Sequence, residues 1–163
     1  MTWKQYEGGS RWRVLEDGIS VEVEGEGVLR TKGEPLTMRQ MREDYGPELD
    51  EAAAHFDVPV EWIMAMVTIE AVRIKGTRTF DPRSTREEPG FVSDEETPRR
   101  VAVGLMQTLI TTARSMQDRY DLFPGEHIDR RALWRPRVSI MLGTAYMRYQ
   151  LDRYDDEWGQ DPV

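Results

Sequence analysis

The hydrophobic positions change period along the chain. Between residues 12 and 30, Val14, Ile19, Val21 and Val23 alternate with charged residues, the pattern of a half-covered β-strand. Asp17-Gly18 sits between the runs as a hairpin-type turn, so a small β-hairpin arm is expected. Gly25, Gly27, Gly33 and Pro35 then interrupt the pattern and predict a boundary near residues 31–37. From Thr37 the period becomes helical. Thr37, Met38, Met41 and Tyr45 predict a short helix, and Pro47 opens a second through Ala54 whose first-turn acids suit the helix dipole. Asp57 is expected to cap a third helix, with Pro59 in its first turn. On that helix Val60, Ile63, Met64, Val67 and Ala71 form a stripe, and Trp62, Ala65, Met66 and Ile69 make the other faces apolar too. Such a helix belongs in the middle of a domain.

Residues 73–100 carry Gly, Pro and many charges, and read as a long irregular excursion, a feature that compact domains usually keep for function. A further helix is expected from Gly104, with Leu105, Leu109, Ala113 and Met116 on one face, before a connection at Pro124-Gly125. The last helix starts at Pro136, buries Val138, Met141, Leu142, Ala145 and Tyr149, and is expected to end at Tyr154, ahead of Gly159 and Pro162. The expected class is mainly α, with a β arm over residues 1–36 and a helical domain over 37–163.

Composition narrows the function. The 163 residues are 39% hydrophobic and 32% charged, as in ordinary globular chains. A net charge of −8 argues against nucleic acid or an anionic membrane surface as a partner, because both draw on clustered Lys and Arg. With no cysteine, and with His55 and His127 far apart in sequence, no metal site is expected. The start of the chain lacks the apolar run of a secretory signal, and no stretch is long enough to span a bilayer. A protein made in the cytoplasm would then reach a target outside the cell by lysis, on a phage particle or through secretion machinery.

One carboxylate stands out. Glu70 lies near the end of the apolar third helix, one turn from Ile63, Met66 and Val67. An acid partly withheld from water keeps its proton longer, as a general acid must. The plainer reading is that Glu70 points outward and pairs with Arg73 or Lys75.

Thr68-Ile69-Glu70, then Val103-Gly104-Leu105-Met106-Gln107, then Leu142-Gly143-Thr144-Ala145-Tyr146 resemble, in content and order, the motifs of the soluble lytic transglycosylases of the lysozyme-like superfamily. In that family a helix bearing the catalytic glutamate precedes a Gly-Leu-Met-Gln segment and a helix with Gly-x-x-Tyr. The match covers residues 58–151. It implies a lysozyme-like α+β fold, peptidoglycan glycan strands as partner, no cofactor, and Glu70 as acid/base on the β-1,4 bond between N-acetylmuramic acid and N-acetylglucosamine. The expected product is a 1,6-anhydro sugar. The resemblance makes Gly104, Leu105, Met106, Gln107, Ser139 and Tyr146 candidate substrate-binding residues, with Met106 equally readable as core. Ser139, Gly143 and Tyr146 share one helix face, which either lines the groove or packs. By likeness to goose-type lysozymes, which hydrolyse with water, Asp81, Glu88 and Asp94 are candidate second carboxylates.

The chain departs from the family at Ala71, where serine is usual, and at Ser139, where asparagine is usual. It also stops at Asp161-Pro162-Val163, without the family's Ala-Tyr-Asn-Ala-Gly segment, which predicts weaker turnover. The loop from Glu88-Pro89-Gly90 to Thr97-Pro98 resembles a subgroup found in phage proteins. A non-catalytic wall-binding or structural phage component is the alternative reading.

Overall fold

The alternating run after Arg11 does form strands. In the computed structural model, which describes residues 2–6, 9–15, 18–30 and 35–158, β1 (Trp12–Leu15) pairs antiparallel with β2 (Gly18–Val23), and β2 with β3 (Gly27–Arg30). The expected turn residue Asp17 and much of the expected boundary lie outside the described residues. Gly25 and Gly27 do not mark a boundary. Both hold positive φ, which is cheap only without a Cβ, and they turn β2 into β3, so the arm is a three-stranded meander. The chain divides into two compact units, Met1–Gln40 and Met41–Val163.

The second unit begins within helix α1 (Leu36–Phe56), where the two expected short helices meet at a kink. Tyr45 has φ −137° there, two residues before Pro47, whose ring crowds the carbonyl four residues back. The kink turns Tyr45 inward, where its hydroxyl donates to the Phe80 carbonyl at 2.6 Å. Burial, reinforced by nearby acids, pushes that hydroxyl up to about 12.

Asp57 is not an N-cap. It adopts φ +52° just after α1, a left-handed position that Asp tolerates better than most residues, and Pro59 precedes α2 (Val60–Glu70) with no side-chain cap. Helix α2 buries Ile63, Met64 and Val67 but leaves Ile69 73% exposed, so it is covered on one stripe rather than on all sides. The all-round buried helix is α5 (Pro136–Trp158), buried at every residue from 138 to 145. It also runs past Tyr154, since acidic residues do not break a helix and Gly159 comes later.

The excursion is more ordered than expected. It contains β4 (Thr85–Glu87) and a 3-10 turn at Pro98–Arg100. Strand β4 joins β5 (Val101–Val103) and β6 (Thr108–Leu109) in a second antiparallel sheet. Gly104 and Gln107 have φ +81° and +45°, so no helix passes through them, and α3 (Ile110–Tyr120) starts later than Gly104. Short α4 (Arg130–Leu133) is capped by Asp129, whose carboxylate accepts from the Ala132 N–H at 2.8 Å. Among the described residues no helix is long and apolar enough to cross a membrane.

Candidate active site

Glu70 is the last residue of α2, and Ala71 beyond it is extended. Its side chain is half-buried and makes no hydrogen bond or ion pair with any described residue; neither Arg73 nor Lys75 takes it. Most acids that end up partly covered in this unit are tied. Asp94 holds Arg130, Glu126 holds Arg135, and Asp129 caps α4.

The segment leaving Glu70 is fixed by Ser84, which is almost fully buried. Its hydroxyl accepts from the Val72 N–H at 3.3 Å, two residues beyond the acid. Its carbonyl accepts from the Gly104 N–H at 2.8 Å and from the Gln107 side-chain amide at 3.0 Å. One residue therefore joins the end of α2 to the 104–107 turn. The Gln107 amide nitrogen also donates to the Gly104 carbonyl at 2.9 Å, which leaves the half-buried side chain its carbonyl oxygen as a spare acceptor.

The same turn packs on α5. A Cβ on Gly104 would collide with the Leu133 carbonyl and the Ser139 hydroxyl, and one on Gly143 would collide with the Met106 side chain. The Ser139 hydroxyl accepts from the Met106 N–H at 3.2 Å. Gly104, Leu105, Met106 and Ser139, four of the expected substrate contacts, are all buried: their surfaces meet protein rather than solvent.

One turn further along that face of α5 the packing opens. Tyr146, seven residues after Ser139, is 38% exposed and lines a cavity of about 270 Å³ between α3 and α5. Thr111, Thr112, Ser115, Met116, Arg119 and Tyr149 complete its walls. Tyr146 and Tyr149 stack with centroids 6.4 Å apart, and the Arg119 guanidinium lies 4.6 Å over the Tyr149 ring. Aromatic faces, hydroxyls and a cation are the groups that hold a sugar. Glu70 is not among the residues lining this cavity.

The three loop acids part company. The Asp94 carboxylate accepts from the Arg130 backbone N–H at 3.1 Å and from its guanidinium at 3.0 Å, while Glu87 takes the same guanidinium at 2.9 Å. Burial works against the Arg130 charge, but the two carboxylates outweigh it and hold the guanidinium above its ordinary range. Asp94 thus ties the excursion to α4. Asp81 accepts from the Arg83 N–H at 2.8 Å and shapes its own turn. Glu88 is exposed and unpaired.

Ser84 was not singled out by the sequence pattern, and Tyr45 only as one position of a helical stripe. Both act through backbone groups distant in sequence, which leave no periodic signal.

Comparison with protein families gives the class: the transglycosylase SLT domain profile matches residues 50–160, and the chain belongs to that family. It is a soluble lytic transglycosylase of lysozyme-like α+β fold, a class of enzyme that cleaves glycosidic bonds of peptidoglycan. No curated protein and no solved structure gives a match.

Proposed function

We propose that Glu70 is the general acid/base of a lytic transglycosylase that cleaves between N-acetylmuramic acid and N-acetylglucosamine and leaves a 1,6-anhydro end. The observation that carries this reading is the Glu70 carboxylate itself, half-buried at the end of α2 with no partner among the described residues. A carboxyl group left unpaired at such a place keeps its hydrogen-bonding capacity for a ligand.

The carboxyl proton passes to the glycosidic oxygen, the bond from that oxygen to C1 breaks, and the acetamido oxygen of the same sugar stabilises the cationic C1. The 6-hydroxyl oxygen then bonds to C1, and its proton returns to Glu70. No second carboxylate and no water enter. Two of the three candidate second carboxylates are occupied, Asp94 by Arg130 and Asp81 by its own turn, which supports this route over hydrolysis; the third, Glu88, is exposed. Gln107 supplies an acceptor, and Tyr146, with the α3–α5 cavity, holds a sugar along the strand. The acting domain is residues 37–163, with residues 1–36 as an appended arm.

The test is release of soluble muropeptides from purified peptidoglycan. Glu70→Gln is expected to lower the rate by about 10²- to 10⁴-fold, the usual weight of a general acid. Equal release by both forms removes Glu70 from the chemistry, and no release by the wild type, with wall material still bound, makes the chain a binding module.

A further inference from the structure

The segment after Glu70 folds into a ribbon. Arg73 and Phe80 form an antiparallel bridge, the Ile74 N–H donates to the Thr79 carbonyl at 2.9 Å, and the Asp81 N–H donates to the Val72 carbonyl at 2.8 Å. Gly76, at φ +81°, makes the tip. The base is held firmly, by Ser84 on Val72 and by Tyr45 on the buried Phe80. The ribbon therefore rises from the position of Glu70 on a fixed footing.

Its charge is out of keeping with the rest of the chain. The protein carries −8, and in the second unit most arginines are occupied by an acid, a carbonyl or a ring, as Arg42, Arg114, Arg130 and Arg137 are. Arg73, Lys75 and Arg78 on the ribbon are exposed and have no side-chain partner among the described residues, and Arg83 and Arg86 just beyond it are the same. None of the acids on this stretch pairs with these cations: Asp81 accepts from a backbone N–H, Glu87 is turned to Arg130, and Glu88 is exposed without a partner among the described residues. Val72 and Ile74 stand between the cations, 62% and 44% exposed.

We propose that this ribbon is a subsite for the carboxylates of the peptide stems that hang from the glycan strand, so that the enzyme selects stem-bearing sugars. The inference rests on the reading of peptidoglycan as substrate. It is favoured by charge complementarity, since stem peptides carry free carboxylates beside short apolar side chains, and by the ribbon's attachment two residues from the acid. Cations that face acids across a wet surface act mainly through steering and modest affinity, and three together are worth about tenfold in binding.

The experiment is equilibrium binding, by calorimetry, of a muramyl disaccharide carrying its peptide stem, beside the same disaccharide with every stem carboxyl amidated. The wild type is expected to bind the acidic form about tenfold more tightly at low salt. The variant Arg73→Gln/Lys75→Gln/Arg78→Gln is expected to bind both alike, with an unchanged melting temperature. Equal binding of both ligands by the wild type overturns the proposal, as does a preference that survives in the variant. Phosphatidylglycerol vesicles form a further arm: if the variant loses vesicle binding yet keeps the disaccharide preference, the ribbon is a membrane-contacting element instead. Because the readout is binding, a failure of Glu70 as the acid appears only in turnover and leaves this comparison standing.

Discussion

Helices α2 and α5 look alike as strings of apolar residues, yet they do opposite work. Helix α5 is buried over every residue from 138 to 145 and accepts the 104–107 turn against Ser139 and Gly143. Helix α2 buries a single stripe, shows Ile69 to solvent and ends on an acid that no described residue holds. Of the motif residues, Gly104, Leu105 and Met106 are interior packing, while Gln107 and Glu70 are half-buried and Tyr146 is exposed. In the proposed reading the chemistry stands where the packing runs out.

Substitutions can break or sharpen this contrast. The largest effect on stability belongs to Gly104→Ala, which adds a Cβ against the Leu133 carbonyl and Ser139 at a left-handed residue. A loss of about 3 kcal/mol is expected, readable as a fall of roughly 10 °C in melting temperature. A neutral result would mean that the turn is not scaffold. Ser84→Ala comes next. It deletes the acceptor of the Val72 N–H while keeping the carbonyl that holds Gly104 and Gln107, so about 1 kcal/mol of stability should go. Turnover should fall further than that stability loss explains, as the end of α2 loosens, and an unchanged rate would detach Ser84 from the site.

Tyr45→Phe removes the bond to the Phe80 carbonyl and is expected to cost about 1 kcal/mol in chemical denaturation. Its pH dependence has a definite sign. The folded-state value is raised from 10.0 to about 12, so the hydroxyl's contribution is whole below pH 10 and disappears as pH climbs through about 12. The wild type and Tyr45→Phe should therefore converge only in strong alkali. The smallest effect is that of Arg137→Ala, which frees Glu51 on the far side of α1. The guanidinium holds Glu51 below its ordinary range, so the pair stabilises above that range and loses its effect as pH falls through the lowered value. Both groups are well exposed, and less than about 1 kcal/mol is expected at neutral pH, shrinking further in salt.

Much of this was legible in the sequence, for reasons that differ by region. The buried stripe of α5 was readable because Val138, Met141, Leu142 and Ala145 recur at the helical period, and each of them is buried. The two short helices around Pro47 were readable because proline leaves a fixed mark on the backbone. The start of α3 was misplaced because the left-handed residues Gly104 and Gln107 interrupt a stripe that the period alone would continue. Asp57 misled because the same short polar side chain serves both as a cap and in a left-handed turn. The exposure of Ile69 was hidden, since an apolar residue carries no sign of which partner it lacks. At the site, Glu70 was visible as an acid in apolar company, whereas Ser84 and the pairing of Asp94 with Arg130 arise between segments brought together only by folding.

The most direct measurement is digestion of peptidoglycan by the wild-type chain in water enriched in heavy oxygen, followed by mass spectrometry of the released sugars. If Glu70 both gives and retrieves the proton without a second acid, the products are anhydro sugars that lack one water and take up no heavy oxygen. Products one water heavier and carrying the label would contradict that account.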